Sequence, residues 1–585
     1  MTGQDKTQDK LTIINELARR RGFFWPSYEI YGGTSGFFTY GLLGAKLKQN
    51  IENKLRDIFV NQLGILEIES PVITPGTVFE ASGHIDHFKE PMVECQKCRK
   101  SFRADHLLRE ATQMSEAEAE KLSPKELKEA IDKNDIRCSD CGGSFGEPKQ
   151  FLTMFKTTIG PYSDAIGYGR PEAAQGIFVE FNRLYGIARE KLPFGVLQIG
   201  HALRNEISPR QGLMRLREFT IADLEFFFDP EEEDCHMLGS VENETLRLVT
   251  AETRQKGSEE ITELTVKEAL EKSIIKKQWL AFFMVTAKRL LVDLGVSGEK
   301  QRFLEKLPWE RAHYSQQTFD QEVLLDRWGW TEASGHAYRT DYDLKSHMDS
   351  SGTDMTVFKE YSKPIEKEQV IIKPIMAKLG PVFKGEAGKI ATTLAKANPA
   401  EVEASMKKHG YYTLDEYKVL AEHVDITSQK TVEQGRRFVP HVIEPSFGID
   451  RLFYIAMEYA YEVKEDRTLM SFPPSIAPIQ IGIYPLMSKD GLPEKTLELL
   501  KVLLDDGFAV EYDDAGSIGR RYARADEAGV PLGITVDYDT LKDDTVTIRD
   551  RDSWRQVRTS MKSLADLLRE YFRGKINFEG LGKPI

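Results

Sequence analysis

Cysteine is scarce in this chain, five in 585 residues, and that excludes a disulfide-stapled secreted scaffold. A long uninterrupted apolar run is also missing. The most apolar stretch, Trp279 to Val292, is broken by Lys288 and Arg289 and is shorter than the ~20 residues of a membrane-spanning helix. The N-terminal MTGQDKTQDK is polar and charged, without the apolar segment of a secretory signal. A cytosolic location is the expectation. Positive charge is not in excess either: 79 Lys and Arg against 92 Asp and Glu leave a net charge of −13. On its face that disfavours a nucleic-acid partner, yet phosphate contacts depend on local basic patches, not on net charge. What is present is ordinary: 41% hydrophobic and 29% charged residues, as in soluble globular proteins. At ~150 residues per domain, the length suggests about three to five domains.

The organising stretch is Val196 to Pro230, VLQIGHALRNEISPRQGLMRLREFTIADLEFFFDP. It reads as two strands joined by the loop Ser208-Pro209-Arg210-Gln211-Gly212, whose Pro and Gly let the chain reverse. Alternation on the return strand puts Thr220, Ala222, Leu224, Phe226 and Phe228 on one face, fit for a core. Phe219, Ile221, Asp223, Glu225 and Phe227 fall on the other, and Arg204 and Glu206, two apart, share a face. A hairpin aligning Arg, Glu, Phe and two carboxylates suits an anionic, aromatic, amine-bearing ligand such as ATP with an amino acid. The competing reading is the solvated face of an antiparallel sheet.

Other patterns follow along the chain. Residues 39–63 space Leu43, Leu47, Ile51, Leu55, Ile58 and Phe59 as an amphipathic helix that Gly64 ends, and the strand LEIESPVITP comes next. Cys95-x2-Cys98 and Cys138-x2-Cys141 are two knuckles. Thiolates so spaced can share one Zn²⁺ at ~2.3 Å, and a second pair completes the tetrahedron. Redox-active thiols are the alternative, but paired knuckles in a Cys-poor chain favour a structural zinc. Between them, Ser123-Pro124-x-Glu126 signals a helix start. GRPEAAQGIFVEFNRLYG, residues 169–186, puts Glu172 in a helix's first turn, where the dipole alone favours a carboxylate. Residues 231–320 read as charged, helical and peripheral. Residues 355–430 read the same way, with no chemistry to assign. In PHVIEPSFGIDRLFYIAMEYAYE, residues 440–462, an apolar strand ends at Glu444-Pro445-Ser446 and a helix opens by Arg451. Gly448 at that junction lets backbone approach a ligand, and a helix N-terminus attracts phosphate. Arg451 is unfavourable there unless an anion lies beside it.

After the proline-rich SFPPSIAP, near residue 475, strands and helices alternate as βαβαβ. That implies a small domain with a largely parallel sheet. One of its helices begins with Arg520, Arg521, Tyr522 and Arg524, joined by Arg549, Arg551 and Arg555 further on. Basic groups interleaved with an aromatic suit a single-stranded RNA loop; a solvated basic face is the alternative.

RNEISPRQGL…REFT resembles motif 2 of the class II aminoacyl-tRNA synthetases, in the form found in the glycyl-tRNA synthetase family. RPEAAQGIF is similar to a signature of that family, with Ala173 where Thr is frequent. Glu444 to Arg451 resembles motif 3, with Asp450 where many members have Gly. The helix before LEIESPVITP resembles motif 1, which builds a dimer interface, here around Pro71. The last block resembles the class IIa anticodon-binding domain. The chain is thereby identified as a member of the glycyl-tRNA synthetase family of archaeal and eukaryotic type, over about residues 22 to 575 outside the insertions.

The resemblance implies an α+β fold: an antiparallel sheet flanked by helices, with zinc-bearing and helical insertions and a C-terminal α/β anticodon-binding domain. The implied spans are 1–94 with motif 1, 95–150 as the zinc insertion, 151–234 with motif 2 and 235–320 as a helical insertion. Next come 321–354 of the catalytic domain, a second insertion 355–430, 431–474 with motif 3, and 475–585 for the anticodon. It implies ligation of glycine to tRNA(Gly) through glycyl-adenylate, with ATP and Mg²⁺, a structural Zn²⁺ and a homodimer. Implied catalytic residues are Arg204 on the α-phosphate, Arg451 on the γ-phosphate and Glu332, in WGWTE, on Mg²⁺. Arg103, Glu172, Phe219, Asp223, Glu444 and Ser446 are implied for glycine. Arg204, Asn205, Glu206, Met214, Arg215, Leu216, Phe219, Glu332, Ala333, Gly448 and Arg451 are implied for ATP. Cys95, Cys98, Cys138 and Cys141 are implied for zinc, and Arg520, Arg521, Arg524 and Arg549 for tRNA. The family usually has Glu where Asp223 stands, a carboxylate reaching ~1.5 Å further, so Glu225 is the alternative partner of glycine. Two rivals remain open, a sister synthetase for another small amino acid and a non-catalytic RNA-binding paralogue. The intact Arg204, Glu206 and Arg451 speak against the second.

Overall fold

The computed structural model describes residues 9–112, 114, 118–119, 121–161, 165–209, 211–232 and 234–585. The polar N-terminal residues 1–8 and Arg210 of the hairpin loop lie outside the described residues. The chain forms two compact units: one takes the residues up to Met355 and from Pro440 on, the other is Thr356–Val439.

In the first unit, helix α1 (Leu42–Leu55) buries Leu47, Ile51 and Leu55. It runs on through a π-helical stretch, Arg56–Gln62, and the chain leaves it through Gly64 at φ +68°, a conformation glycine adopts without steric cost. Strand β1 (Leu66–Glu67) and the short helix α2 (Ala174–Phe178) come before the motif 2 hairpin, β2 (Phe194–Leu203) and β3 (Glu218–Phe228). Then follow β4 (Thr245–Val249), β5 (Thr262–Thr265), helix α3 (Gln278–Asp293), β6 (Gln301–Glu305), β7 (Gln317–Leu325) and β8 (Gly329–Thr340). Helix α4 (Tyr342–Ser351), strand β9 (His441–Gly448) and helix α5 (Ile449–Ala460) complete the body.

The nine strands form one sheet in the order β5-β4-β6-β7-β8-β9-β3-β2-β1. All neighbours are antiparallel except the β1–β2 and β4–β6 pairs. On β3 the expected core face is buried against α3, with the Phe226 ring 4.3 Å from that of Trp279. The opposite face carries Asp223 and Glu225 towards α2, where Phe178 packs on Phe227. The α+β architecture expected, a largely antiparallel sheet with helices on its faces, is the one formed.

Residues 235–320 depart from the helical, peripheral insertion expected of them. They supply β4, β5 and β6 and the start of β7 to the main sheet, and α3 to its core. β4 and β5 are only five and four residues long, at the sheet's edge and with charged side chains among them, so their alternation is hidden. Helix α3 is apolar nearly all round, which is the mark of a buried helix, not of a surface one.

Around the knuckles the chain builds a three-stranded sheet in which Ser101–Arg103, from between them, pairs with Lys89–Glu94 before the first and Lys149–Leu152 after the second completes the order; two described helices lie between the knuckles. Ser123 caps Pro124–Lys133 through a reciprocal bond with Glu126, as the sequence signal requires. Its core includes Val93, Leu108, Leu127 and Ile131 together with Cys95 and Cys138.

The C-terminal block contains β10 (Ile481–Pro485), β11 (Val510–Tyr512), helix α6 (Ile518–Ala528), β12 (Leu532–Val536), β13 (Thr545–Asp550), β14 (Gln556–Ser560) and β15 (Lys583–Pro584). The order is β11-β10-β12-β13-β14-β15. Only the first three strands are parallel; the others return antiparallel. The largely parallel sheet expected from βαβαβ is therefore half right. After β12 only the short turn of helix Thr540–Asp543 intervenes, too little chain for a parallel crossover.

The second unit is built on a long antiparallel ribbon, Val357–Pro374 with Val424–Phe438. Helices Met376–Phe383, Ala387–Ala395 and Pro399–His409 and a small hairpin follow on one end, around a core of Leu379, Ile390, Leu394, Val402 and Val419. The expected insertion 355–430 was drawn short: the return strand of the ribbon extends it to Val439.

Candidate active site

Two cavities open on the polar side of the main sheet and share a wall of Arg204, Ile221, Glu332 and Ser446. The outer one, about 300 Å³, is lined by Glu206, Met214, Arg215, Leu216, Phe219, Gly448 and Arg451 among others. Register explains this assembly. Strand β9 pairs with β3 so that Ser446 lies opposite Asp223 and Gly448 opposite Ile221, which sets the motif 3 turn beside the motif 2 strand. Asp450, the departure from the family's Gly, ties the same junction together. Its carboxylate accepts from the Thr220 N–H at 2.6 Å, from Lys48 Nζ at 2.8 Å and from the Tyr40 hydroxyl.

Within the outer cavity the Arg204 guanidinium lies 5.3 Å from the Phe219 ring centre, and its Nε donates to the Pro171 carbonyl at 3.1 Å. Arg215 Nε donates to Glu206 Oε2 at 2.7 Å. Arg451 Nη1 lies 3.1 Å from Glu332 Oε2, and that charge holds the Glu332 carboxyl below its ordinary range. Three arginines and a stackable ring so placed can hold a polyphosphate and a flat base. Asn205 and Ala333, expected at this cavity, do not line it. The Asn205 backbone donates to the Thr153 carbonyl, and Ala333 is buried in the body.

The inner cavity, about 210 Å³, brings together Glu172, Asp223, Glu444 and Ser446. Its organiser is Arg339 at the end of β8, fully buried. Arg339 Nε and Nη2 fork onto Asp343 at 2.8 and 2.9 Å, and Nη1 donates to Glu444 Oε1 at 2.7 Å. The guanidinium lies 3.6 Å from the Tyr314 ring centre. Asp223 accepts from the Ser446 hydroxyl and from the Ala173 N–H, each at 2.6 Å. Glu172 Oε1 is 3.2 Å from His84 Nε2 and accepts from Gln175 Nε2 at 3.1 Å. Glu172 is held well below the ordinary carboxylate range despite its burial, by His84 and Arg339. Glu444 is instead pushed up to about 8 by burial, with Arg339 opposing. Asp320, on the same cavity beside Lys306, is lifted to about 7 by burial and by Glu332. Carboxylates outnumber cations here, and a small ammonium is the ligand that would balance them. Phe219, expected for both substrates, lines the outer cavity only.

Glu225 is enclosed completely, lines neither cavity, and has no hydrogen-bond partner on either oxygen. Burial and the neighbouring Glu444 lift it well above the carboxylate range. Arg103 is not brought to either cavity. It donates to Glu90 Oε1 at 2.7 Å and to Asp105 Oδ1 at 3.1 Å, because two carboxylates within reach of a half-buried guanidinium hold it in the insertion.

The RNA surface expected of the C-terminal block also needs correction. Arg520 is exposed and Arg524 half-exposed, the latter on Asp513 at 2.8 Å. Arg521 and Arg549 are buried. Arg521 donates to the Pro485, Asp514 and Gly516 carbonyls, and Arg549 pairs with Asp526 at 2.9 Å. Arg551 is buried as well, on the Gly529 and Phe472 carbonyls. Internal acceptors, not an external anion, answer the charges of Arg521 and Arg524 at the start of α6.

Arg339, Asp343, Tyr314, His84 and Gln175 were missed from sequence. The one signal was Arg339 with Asp343 four residues on, and a solvated pair looks the same.

The knuckle thiols converge: Cys95 and Cys141 sulfurs are 3.4 Å apart, Cys98 and Cys138 3.7 Å, and all four lie within 4.8 Å of one another. A tetrahedron with Zn–S bonds of ~2.3 Å has edges of about 3.8 Å, so the four thiols fit zinc. Backbone N–H groups, that of Cys98 foremost, hold the Cys95 thiol down to about 6.

A mixed sheet of this topology, with the motif 2 hairpin beside the motif 3 junction and an anticodon-type block at its end, defines a class II aminoacyl-tRNA synthetase. Residues 476–571 match the family described as anticodon binding domain. The chain is 45% identical to the glycine–tRNA ligase of Aeropyrum pernix over 99% of both chains. It is 46% identical to that of Thermococcus gammatolerans over 97% of this chain and 99% of the relative. To that of Methanocaldococcus jannaschii it is 44% identical over 95% and 98%. The chain belongs to the glycine–tRNA ligase family.

Proposed function

We propose that the protein ligates glycine to the 3′ end of tRNA(Gly) at the expense of ATP. The observation that carries this is the inner cavity, in which Glu172, Asp223 and Glu444 converge in about 210 Å³ directly beside Arg204 and Arg451. Glycine's ammonium sits among the carboxylates, and its carboxylate faces the shared wall. Attack of a carboxylate oxygen on the ATP α-phosphorus forms glycyl-adenylate as the bond to pyrophosphate breaks. The 3′-hydroxyl of the terminal tRNA adenosine then takes the glycyl group and releases AMP. Such transfers need positioning and charge neutralisation more than a protein base. Arg204 holds the α-phosphate, Glu206 the adenine amino group, Phe219 stacks on the base and Arg451 holds the γ-phosphate. Mg²⁺ accompanying ATP neutralises phosphate charge, and Glu332 with Asp320 is the carboxylate pair available to it.

Selection of glycine follows from the cavity walls. An added methyl gains at most ~0.8 kcal/mol in a roomy pocket but clashes in a rigid one. The stack of Arg339 on Tyr314, pinned by two carboxylates, supports rigidity here. Pyrophosphate exchange with each of the twenty amino acids tests the reading. Glycine alone should support exchange; equal exchange with alanine or serine would overturn it.

The remaining roles belong to the same proposal. One zinc on Cys95, Cys98, Cys138 and Cys141 is structural, since four thiolates leave no open position. The C-terminal block takes the anticodon through Arg520 and Arg524. The enzyme works as a homodimer in the cytoplasm. Ile73 and Ile166, on paired strands, and Ile159, just past the next strand, are exposed and flank Gly167, which supports a second copy as their cover. Light scattering on the purified protein checks that. No described helix is long and apolar enough to cross a membrane.

A further inference from the structure

Among the described residues, the hydrogen bonds and ion pairs of the Glu172 carboxylate fall on one oxygen. His84 Nε2 at 3.2 Å, Gln175 Nε2 at 3.1 Å and Arg339 Nη2 at 3.7 Å all approach Oε1. Oε2 accepts from none of them, and Glu172 lines the inner cavity. Such one-sidedness requires a cause, because a carboxylate can rotate to exchange its oxygens or swing onto the nearest cation. The strongest cation in reach is Arg339, and at 3.7 Å it is beyond a hydrogen bond.

The cause lies on α2. Gln175 is 1% exposed, and its Nε2 donates both to Glu172 and, at 2.9 Å, to Asp343 Oδ1. Its Oε1 faces His347 Nε2 at 2.9 Å. Asp343 and His347 stand four apart on α4, on one face of that helix. The Glu172 and Asp343 oxygens accept here, so they dictate that the NH₂ end faces them, and the carbonyl must then face a donor. His347 therefore carries its proton on Nε2. The amide cannot turn over without setting its oxygen against two carboxylates.

We propose that Gln175 is a positioning residue. It commits Glu172 Oε1 to the protein so that Oε2 stays presented to the substrate ammonium, with His347 fixing the amide's orientation. This rests on the reading of the inner cavity as the glycine site. Gln175 touches no substrate; its effect reaches glycine only through Glu172. ATP, held in the other cavity, should not sense it.

The test is glycine-dependent pyrophosphate exchange with three variants. Gln175→Met keeps the side chain's length and removes its polar atoms. It should raise KM for glycine about ten- to a hundredfold, the worth of a hydrogen bond to a charged group. kcat and KM for ATP should stay within about threefold. Gln175→Glu adds a pH signature. Protonated, the new acid keeps one O–H donor for the carboxylates; ionised, it repels them. The ratio of its glycine KM to that of the parent should fall as the pH is lowered from 8.5 to 6. A flat ratio would overturn the proposal, as would a Gln175→Met enzyme that is less stable but has an unchanged glycine KM. Glu172→Gln separates the layers. If it raises the glycine KM and Gln175→Met does not, the positioning role fails and the glycine site stands. If Glu172→Gln leaves the glycine KM alone, the site itself has been misread.

Discussion

Asp223 and Glu225 stand two apart on the same face of β3, and the structure divides them sharply. Asp223 lines the inner cavity; Glu225 is sealed beneath it with no partner. On the proposed reading of the cavity, replacing Asp223 with Ala should remove one charge-assisted contact to the glycine ammonium, about 1.5–3 kcal/mol. In kcat/KM for glycine that is roughly a ten- to hundredfold loss. A second effect accompanies it. The Ala173 N–H, which donates to Asp223 at 2.6 Å, would be left buried without an acceptor, costing about 1–3 kcal/mol of stability. Ala173 adjoins Glu172, so some of the kinetic loss would come from movement of that neighbour. Glu225→Gln should by contrast leave kcat/KM within about threefold, because a neutral acid is exchanged for a neutral amide of the same shape. Glycine titrations of pyrophosphate exchange at saturating ATP, with melting curves of each variant, measure both effects. If Glu225→Gln costs more activity than Asp223→Ala, the ammonium contact belongs to Glu225 and the division drawn here is wrong.

Three further outcomes are expected. Glu225 has its folded pKa raised, so the folded chain keeps a proton that the unfolded chain releases above pH ~4.3. Stability from this group is present below that pH and lost as pH rises towards the folded pKa, at about 1.4 kcal/mol per unit. The melting advantage of Glu225→Gln over the parent should therefore grow from pH 5 to pH 8, and a constant offset would contradict a neutral Glu225. Elemental analysis of gel-filtered protein should give about one zinc per chain, lost in Cys95→Ser and retained in Cys235→Ala; no zinc in the parent rules out the metal. Arg520→Ala should raise KM for tRNA while sparing exchange, whereas Arg549→Ala, which leaves the buried Asp526 with only the longer Arg467 contact at 3.4 Å, should destabilise the fold by less than the ~3–5 kcal/mol of a wholly uncompensated buried charge. A tRNA-specific defect in the stable form of Arg549→Ala would restore that residue to the RNA surface.

The parts of the site that could be read from sequence are those whose local pattern is itself the geometry. The alternation of β3 put Asp223 beside the cavity and Leu224 in the core, and the strand–Gly–helix order of residues 441–460 set Gly448 and Arg451 at the junction. The paired knuckles named four thiols that do converge. Family resemblance supplied the proposed division of these residues between ATP and glycine. What stayed hidden was burial. Arg339 and Arg521 are arginines in charged surroundings, and nothing in the chain distinguishes a guanidinium sealed among carboxylates and carbonyls from one in water.

The RNA reading of α6 went astray for the same reason. Arginines at a helix start call for acceptors, but nothing in the sequence says whether these come from outside or from the domain. Arg521 finds three carbonyls within the domain itself. A charge placed against a helix dipole thus signals an acceptor without saying whose it is. Arg451 is the informative contrast. It too sits at a helix start, yet it remains on an open cavity, and its protein partners are Glu332 and two carbonyls at 3.2 and 3.3 Å. An arginine buried with its Nη groups on its own fold's carbonyls cannot reach a ligand, whereas one parked on a single displaceable carboxylate beside an open cavity can exchange it for a phosphate. By that criterion Arg451 belongs to the chemistry and Arg521 to the scaffold, though the two read alike in the sequence.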